Sequence, residues 1–154
     1  MRAGFPAICR FFVKRIADRR ADSIGVVAVD DDPRFRAATC RVVEETDGFT
    51  LLGEAACGED GVALAARLQP DLLIVDLVMP GMSGLETCAR LARLRPQPRV
   101  ILTSASVEPD VVELAGLHGA ARFIPKDELD PASLRLLWEQ RDGVRAAPSG
   151  AYPY

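Results

Sequence analysis

Three apolar runs, IGVVAV ending at Val29, LLIV ending at Val75 and RVILTS ending at Ser104, show none of the alternation expected of a strand with one wet face. Each is short, and all three contain β-branched residues, which favours strands buried on both sides. Helical patterns separate them. DPRFRAATCRVVEET has Phe35, Ala38, Val42 and Val43 at helical spacing behind Pro33, and GEDGVALAARLQP is closed by Pro70. SGLETCARLARLRP starts at the capping residue Ser83 and stops before Pro96, EPDVVELAGLHG ends on Gly119, and DPASLRLLWEQ comes last. DGFTLLGEA and ARFI supply two further strands around these helices. Five strands joined by helices form a parallel sheet with helices on both faces, the doubly wound α/β class.

The domain runs from about Ile24 to about Arg141, within residues 23–142. At 154 residues, 49% hydrophobic and 27% charged, the chain holds one such domain. Residues 1–22 form a basic head, with Arg2, Arg10, Lys14, Arg15, Arg19 and Arg20 against Asp18 and Asp22, so the body is acidic although the whole chain is only −3. An acidic body argues against a nucleic-acid groove across the domain, while the basic head keeps a weaker electrostatic attraction open. In the head, Ile8, Phe12 and Ile16 at helical intervals leave a short amphipathic helix open beside a flexible extension. Residues 143–154, small, polar and proline-bearing, are expected to be disordered. The four cysteines, Cys9, Cys40, Cys57 and Cys88, form no close pair, and the only histidine is His118, which argues against zinc. No apolar run approaches the roughly 18 residues of a membrane span or a signal peptide's apolar core, so a cytoplasmic location is expected.

Sites in open α/β sheets form beyond the carboxyl ends of the strands. Here those ends carry Asp30, Asp31 and Asp32, then Asp76, then Thr103 and Ser104, and finally Lys126. Gathered carboxylates repel unless a cation lies between them, and hard oxygen ligands suit Mg²⁺. The hydroxyl and the ammonium are donors that call for a ligand with anionic oxygens. Together these groups describe a phosphoryl-transfer pocket. The chain has 17 Arg and only two Lys, and Lys126 is the one inside the domain.

The segments VVAVDDDP, IVDLVMPGMSG, ILTSA and FIPKDEL resemble, in order and spacing, the signature segments of response regulator receiver domains of two-component signalling. The likeness covers about Ile24 to Arg141 and is strongest to receivers usually fused to helix-turn-helix outputs. It implies a flavodoxin-like sheet of order 2-1-3-4-5. It further implies that Asp76 is the phosphoacceptor, that Asp31 ligates Mg²⁺ directly, that Asp30 acts through the metal's water and that the Val78 carbonyl completes the set. Lys126 would contact the phosphoryl oxygens, Thr103 would swing toward them, and the Phe123 rotamer would follow. A sensor histidine kinase is the implied donor, and the output is an unknown protein contacting the face formed by EPDVVELAGLHG, ARFI and DPASLRLLWEQ. A phosphorylation-dependent homodimer through that face is a further expectation, and no enzymatic turnover of another substrate is expected. Pro125 precedes Lys126 and Asp127 follows it, so the cis Lys–Pro bond of many receivers cannot be assumed.

Two other readings stand beside this one. Asp30-Asp31-Asp32 after a strand also suits a magnesium phosphohydrolase of the haloacid dehalogenase type with Asp30 as nucleophile. The chain could also be the receiver fragment of a DNA-binding transcription regulator. Asp32 is read mainly as a helix cap, Trp138 as a residue docking its helix on the sheet, and the lone His118 as a helix end near solvent.

Overall fold

The computed structural model describes residues 12–13, 21–106, 110, 113 and 122–140. Its strands are β1 (Phe12–Val13), β2 (Ile24–Val29), β3 (Phe49–Ala55), β4 (Leu72–Asp76), β5 (Arg99–Ser104) and β6 (Arg122–Pro125). The helices are α1 (Pro33–Glu45), α2 (Gly58–Leu68), α3 (Gly84–Leu91) and α4 (Pro131–Glu139), with a 3-10 turn at Lys126–Glu128. Asp110 and Glu113 are also helical and exposed. The rest of the helix expected over EPDVVELAGLHG, His118 included, lies outside the described residues, as does the tail after Gln140.

The sheet order is β1-β3-β2-β4-β5-β6, in which the five strands from β2 to β6 are all parallel. Counted without β1, this is the 2-1-3-4-5 order of the flavodoxin-like fold. β1 is an addition. At Phe12 and Val13 the head forms a strand rather than a helical turn, antiparallel to Glu54 and Gly53 on the outer edge of β3. Edge strands carry unpaired backbone groups, and those groups outweighed the helical spacing at these two positions.

Successive residues of each strand feed opposite layers of core, as a doubly covered sheet requires. Val27, Val29, Leu73, Val75 and Leu102 pack with Leu64 and Leu68 of α2 and with Cys88 and Leu91 of α3. Val26, Ala28, Leu72, Ile74 and Ile101 pack with Cys40 and Val43 of α1 and with Leu134 of α4. The buried stripe of α1 differs from the expected one. Phe35 and Ala38 are exposed, and the buried side of α1 is carried instead by Cys40 and Val43.

Helix ends follow local chemistry. Asp32 caps α1 by accepting from the Arg34 N–H, and Ser83–Glu86 and Asp130–Ser133 form reciprocal capping boxes on α3 and α4. The apolar pattern of α3 runs on past Leu91, but Arg93 and Leu94 donate three residues back to Arg90 and Leu91, and Pro96 and Pro98 forbid further α-helix. At the end of α4, the Arg99 guanidinium donates to the carbonyls of Trp138 (2.7 Å) and Leu137 (3.2 Å) and lies 4.6 Å from the Trp138 ring centre. Trp138 meets Phe49 edge-on, so it docks its helix as expected.

The loop after β4 is closed by the Gly84 N–H donating to the Leu77 carbonyl (2.8 Å), and Gly81 within it adopts φ +75°, a backbone region open chiefly to glycine. Gly84 is confined in another way. A Cβ there would lie 2.6 Å from Leu77 Cα and closer still to the Asp76 carbonyl oxygen. Because the obstacle is backbone, Gly84→Ala is expected to destabilise the domain by about 2 kcal/mol or more. A chemical denaturation curve overlapping that of the unmodified chain would contradict this close approach.

Candidate functional site

Strand register brings the polar rim together. Val29 pairs with Val75, which sets Asp30 beside Asp76, and Asp76 itself pairs with Thr103. Ser104 pairs with Pro125, so Lys126 emerges next in line. Asp30 and Asp76 are buried, the latter only 5% exposed, and Asp31 lies on the more open side. Asp30, Asp31 and Asp76 each present an oxygen within 4.8 Å of the others. These three form an acidic pocket.

One cation serves its two buried members. Lys126 Nζ lies 2.8 Å from Asp30 Oδ2 and 3.4 Å from Asp76 Oδ2, with its side chain 10% exposed. The other Asp30 oxygen accepts from the Asp32 N–H at 2.9 Å. Burial, reinforced by the Asp30 carboxylate, pushes the Asp76 pKa up to about 6, even though Lys126 and the Val78 N–H both pull it down. Asp76 is therefore under-compensated by the protein alone. Asp32, in contrast, is held below the usual carboxylate range, first by the Arg34 N–H that it accepts.

The remaining expected residues are placed as follows. The Thr103 hydroxyl is buried and faces the Val75 carbonyl at 3.5 Å, the outer limit of a hydrogen bond, while its own carbonyl accepts from the Leu77 N–H at 2.8 Å. Phe123 is buried in the core layer shared with Leu102 and Val75. Val78 is 70% exposed, and its N–H supports the Asp76 carboxylate.

The structure adds residues that the rim alone did not reveal. Phe35 places its ring 4.2 Å from Lys126 Nζ. Arg36 donates to the Asp30 carbonyl oxygen at 2.8 Å, and its Nε lies 3.5 Å from Glu54, whose other oxygen accepts from the Cys40 thiol. Burial first, then Glu54, pushes the Cys40 pKa up to about 12, so this thiol stays protonated as a donor. Phe35 had a sequence signal only as one member of a helical stripe. Arg36 had none, since one arginine among seventeen carries no mark.

The three carboxylates, two of them buried, are consistent with a Mg²⁺ site, since gathered hard oxygen donors, with Asp76 raised by burial and by its neighbour Asp30, are what such an ion relieves. Among the described residues no helix is long and apolar enough to cross a membrane.

Comparison with known proteins agrees with this geometry. Residues 26–137 match the family described as response regulator receiver domain. The nitrate/nitrite response regulator protein NarL of Escherichia coli is 36% identical over 109 residues, covering 71% of this chain and 50% of that protein. Protein-glutamate methylesterase/protein-glutamine glutaminase 6 of Anaeromyxobacter dehalogenans is 38% identical over 130 residues, covering 82% of this chain and 37% of that one. The chain thus spans half or less of these relatives. Among solved structures, the signal receiver domain of the putative response regulator NarL from Mycobacterium tuberculosis superposes with a TM-score of 0.71 at 32% identity, covering 79% of this chain and 99% of that one. A LuxR-family two-component response regulator from Aurantimonas sp. gives 0.70 at 25% identity, over 77% and 84%. With the family match running from within β2 through β6 and taking in the acidic rim, the chain belongs to the response regulator receiver domains of two-component signalling.

Proposed function

We propose that this receiver accepts a phosphoryl group on Asp76 from a sensor histidine kinase in the cytoplasm and so switches a protein-contact face. The observation that carries the reading is Lys126 set between Asp30 and Asp76 in a pocket shared with Asp31. Asp76 is the acceptor because it ends the central strand β4 with a buried, under-neutralised carboxylate beside an ammonium donor. One of its oxygens attacks phosphorus, the phosphorus–nitrogen bond of the donor phosphohistidine breaks, and the electron pair returns to the imidazole nitrogen, which is protonated from water. Lys126 is placed to hold the phosphoryl oxygens. Asp31, Asp30, Asp76 and the Val78 carbonyl would hold Mg²⁺, which when bound supplies charge neutralisation between the carboxylates and the incoming phosphoryl group. Asp30 is fixed from behind by Arg36 and the Asp32 N–H, which keeps its carboxylate aimed into the pocket.

For the output, Thr103 is the mobile element, since among the described residues its hydroxyl has only the long contact to Val75 to give up. Phe123 lies on the neighbouring strand, paired with Leu102 next to it, and its ring is the second part of the switch. The face that receives the signal is built from β6, α4 and the helical segment at Asp110 and Glu113, and the same face is the one through which two phosphorylated copies would pair. DNA is not the expected ligand of this domain. The haloacid dehalogenase alternative, with Asp30 as nucleophile, loses its support to the family match, and loss of the acceptor at Asp76 separates the two chemically.

Intact mass after incubation with Mg²⁺ and acetyl phosphate should show one added phosphoryl group on the unmodified chain and none on Asp76→Asn or after chelation of the metal. Addition to Asp76→Asn at the same site occupancy would refute the acceptor assignment. The acyl phosphate should hydrolyse slowly, because Val78 and Ala105, two residues beyond Asp76 and Thr103, have no group to orient water; decay within seconds would contradict this. Charge also sets stability. A carboxyl whose pKa rises from 3.8 unfolded to about 6 folded binds more protons in the folded state, so its effect on stability worsens as pH climbs through that window and is constant above it. In metal-free buffer at a pH well above 6, Asp76→Asn should therefore stabilise the domain by on the order of 2 kcal/mol, and the gain should vanish below the unfolded pKa. Melting temperatures that differ equally at both pH values would show that the charge is not the cause.

A further inference from the structure

We propose that Phe35 is a positioning residue for phosphoryl transfer, acting through Lys126; this rests on the reading of the site given above. The ring centre lies 4.2 Å from the lysine Nζ. The Asp30 and Asp76 carboxylates lie 2.8 and 3.4 Å from the same nitrogen. An ammonium carries three donors on a long flexible stem, and nothing in that stem confines it to one place. Two anions and an aromatic face together do confine it.

Phe35 has no part in the core. It is 41% exposed, it lies in neither buried cluster, and it sits on the first turn of α1. An aromatic ring left this open has a cost in apolar exposure that packing does not offset. The side chain beneath it, in contrast, is 10% exposed although it stands on the rim of the molecule. The ring therefore takes the place of water against the ammonium, and its negative face attracts the cation without offering a hydrogen-bond acceptor that would compete with Asp30, Asp76 or a phosphoryl oxygen. Asp32, which caps the same helix turn, lies fixed by the Arg34 N–H, so the ring is carried on a rigid mount. The result is an ammonium held toward the acceptor before the donor arrives, the pre-positioning on which transfer rates depend.

The test compares Phe35→Leu, which keeps apolar bulk and loses the aromatic face, with Phe35→Tyr, which keeps the face. Each is made in the natural background and with Lys126→Ala, and phosphoryl incorporation from acetyl phosphate at saturating Mg²⁺ is followed by intact mass. Phe35→Leu should lower the maximal rate about fivefold with little change in the donor concentration at half rate, and Phe35→Tyr should stay within about twofold of the natural chain. In the Lys126→Ala background Phe35→Leu should add nothing, as a double-mutant cycle demands of residues acting through one another. A second readout does not depend on transfer. The chain has only two lysines, Lys14 and Lys126, so carbon-13 lysine labelling yields two ε-methylene signals, of which the Lys126 signal should be ring-shifted in the natural chain and in Phe35→Tyr and restored in Phe35→Leu.

A natural rate in Phe35→Leu, or an equal loss in both backgrounds, overturns the proposal while leaving the acceptor assignment intact. Absence of the ring shift in the natural chain overturns it as well. If the natural chain takes up no phosphoryl group although the ring shift is present, the reading of the site fails and this role fails with it.

Discussion

Asp30 and Asp76 stand at the rim of a parallel sheet with almost no access to water, and one ammonium stands between them. Two carboxylates less than 5 Å apart repel by on the order of 3 to 4 kcal/mol at an effective dielectric constant near 20, and burial adds to that cost. The surroundings answer this pressure. Lys126 touches both, the Asp32 and Val78 N–H groups each hold one carboxylate, and Arg36 secures the Asp30 carbonyl. These donors lower the cost without removing it, since Asp76 still titrates near 6. A site left in that condition is prepared for additional positive charge and for conversion of its carboxylate to an acyl phosphate.

The fold serves this arrangement by fixing distances that local structure alone could not. Asp30 and Asp76 are 46 residues apart and Lys126 is 50 further on, yet three strand pairings bring them within contact. The pairings hold because each strand buries both of its faces, so a slip of one residue would exchange the contents of the two core layers. Gly84 contributes by letting the start of α3 lie against the backbone of Asp76 and Leu77. Arg99 contributes at the opposite end of β5, where its guanidinium holds the last carbonyls of α4.

Much of this was legible in the chain itself, for identifiable reasons. Unbroken apolar runs at IGVVAV and LLIV require cover on both faces, which dictates parallel pairing and places strand ends on one rim. Asp32 before Pro33 and Ser83 before Gly84 are local signals, and both act as caps. The contacts made by side chains meeting across the fold were not legible. Helical spacing assigns Phe35 to an apolar stripe and says nothing about whether sheet lies beneath that turn. The Arg36–Glu54–Cys40 contacts need α1 and β3 to be in register before any of the three can be named. The strand at Phe12–Val13 was hidden for a related reason: two residues carry no period, and only the vacant edge of β3 makes them a strand.

That short strand gives the sheet a different boundary from the one its five parallel members would have. An open parallel edge exposes a row of amide and carbonyl groups to any extended chain that drifts past. Here the row is interrupted at Gly53 and Glu54 by the chain's own backbone, running the other way. A foreign segment seeking to extend the sheet on that side would have to displace covalently attached backbone at those two positions, in competition with a neighbour whose local concentration is set by the tether and not by the solution.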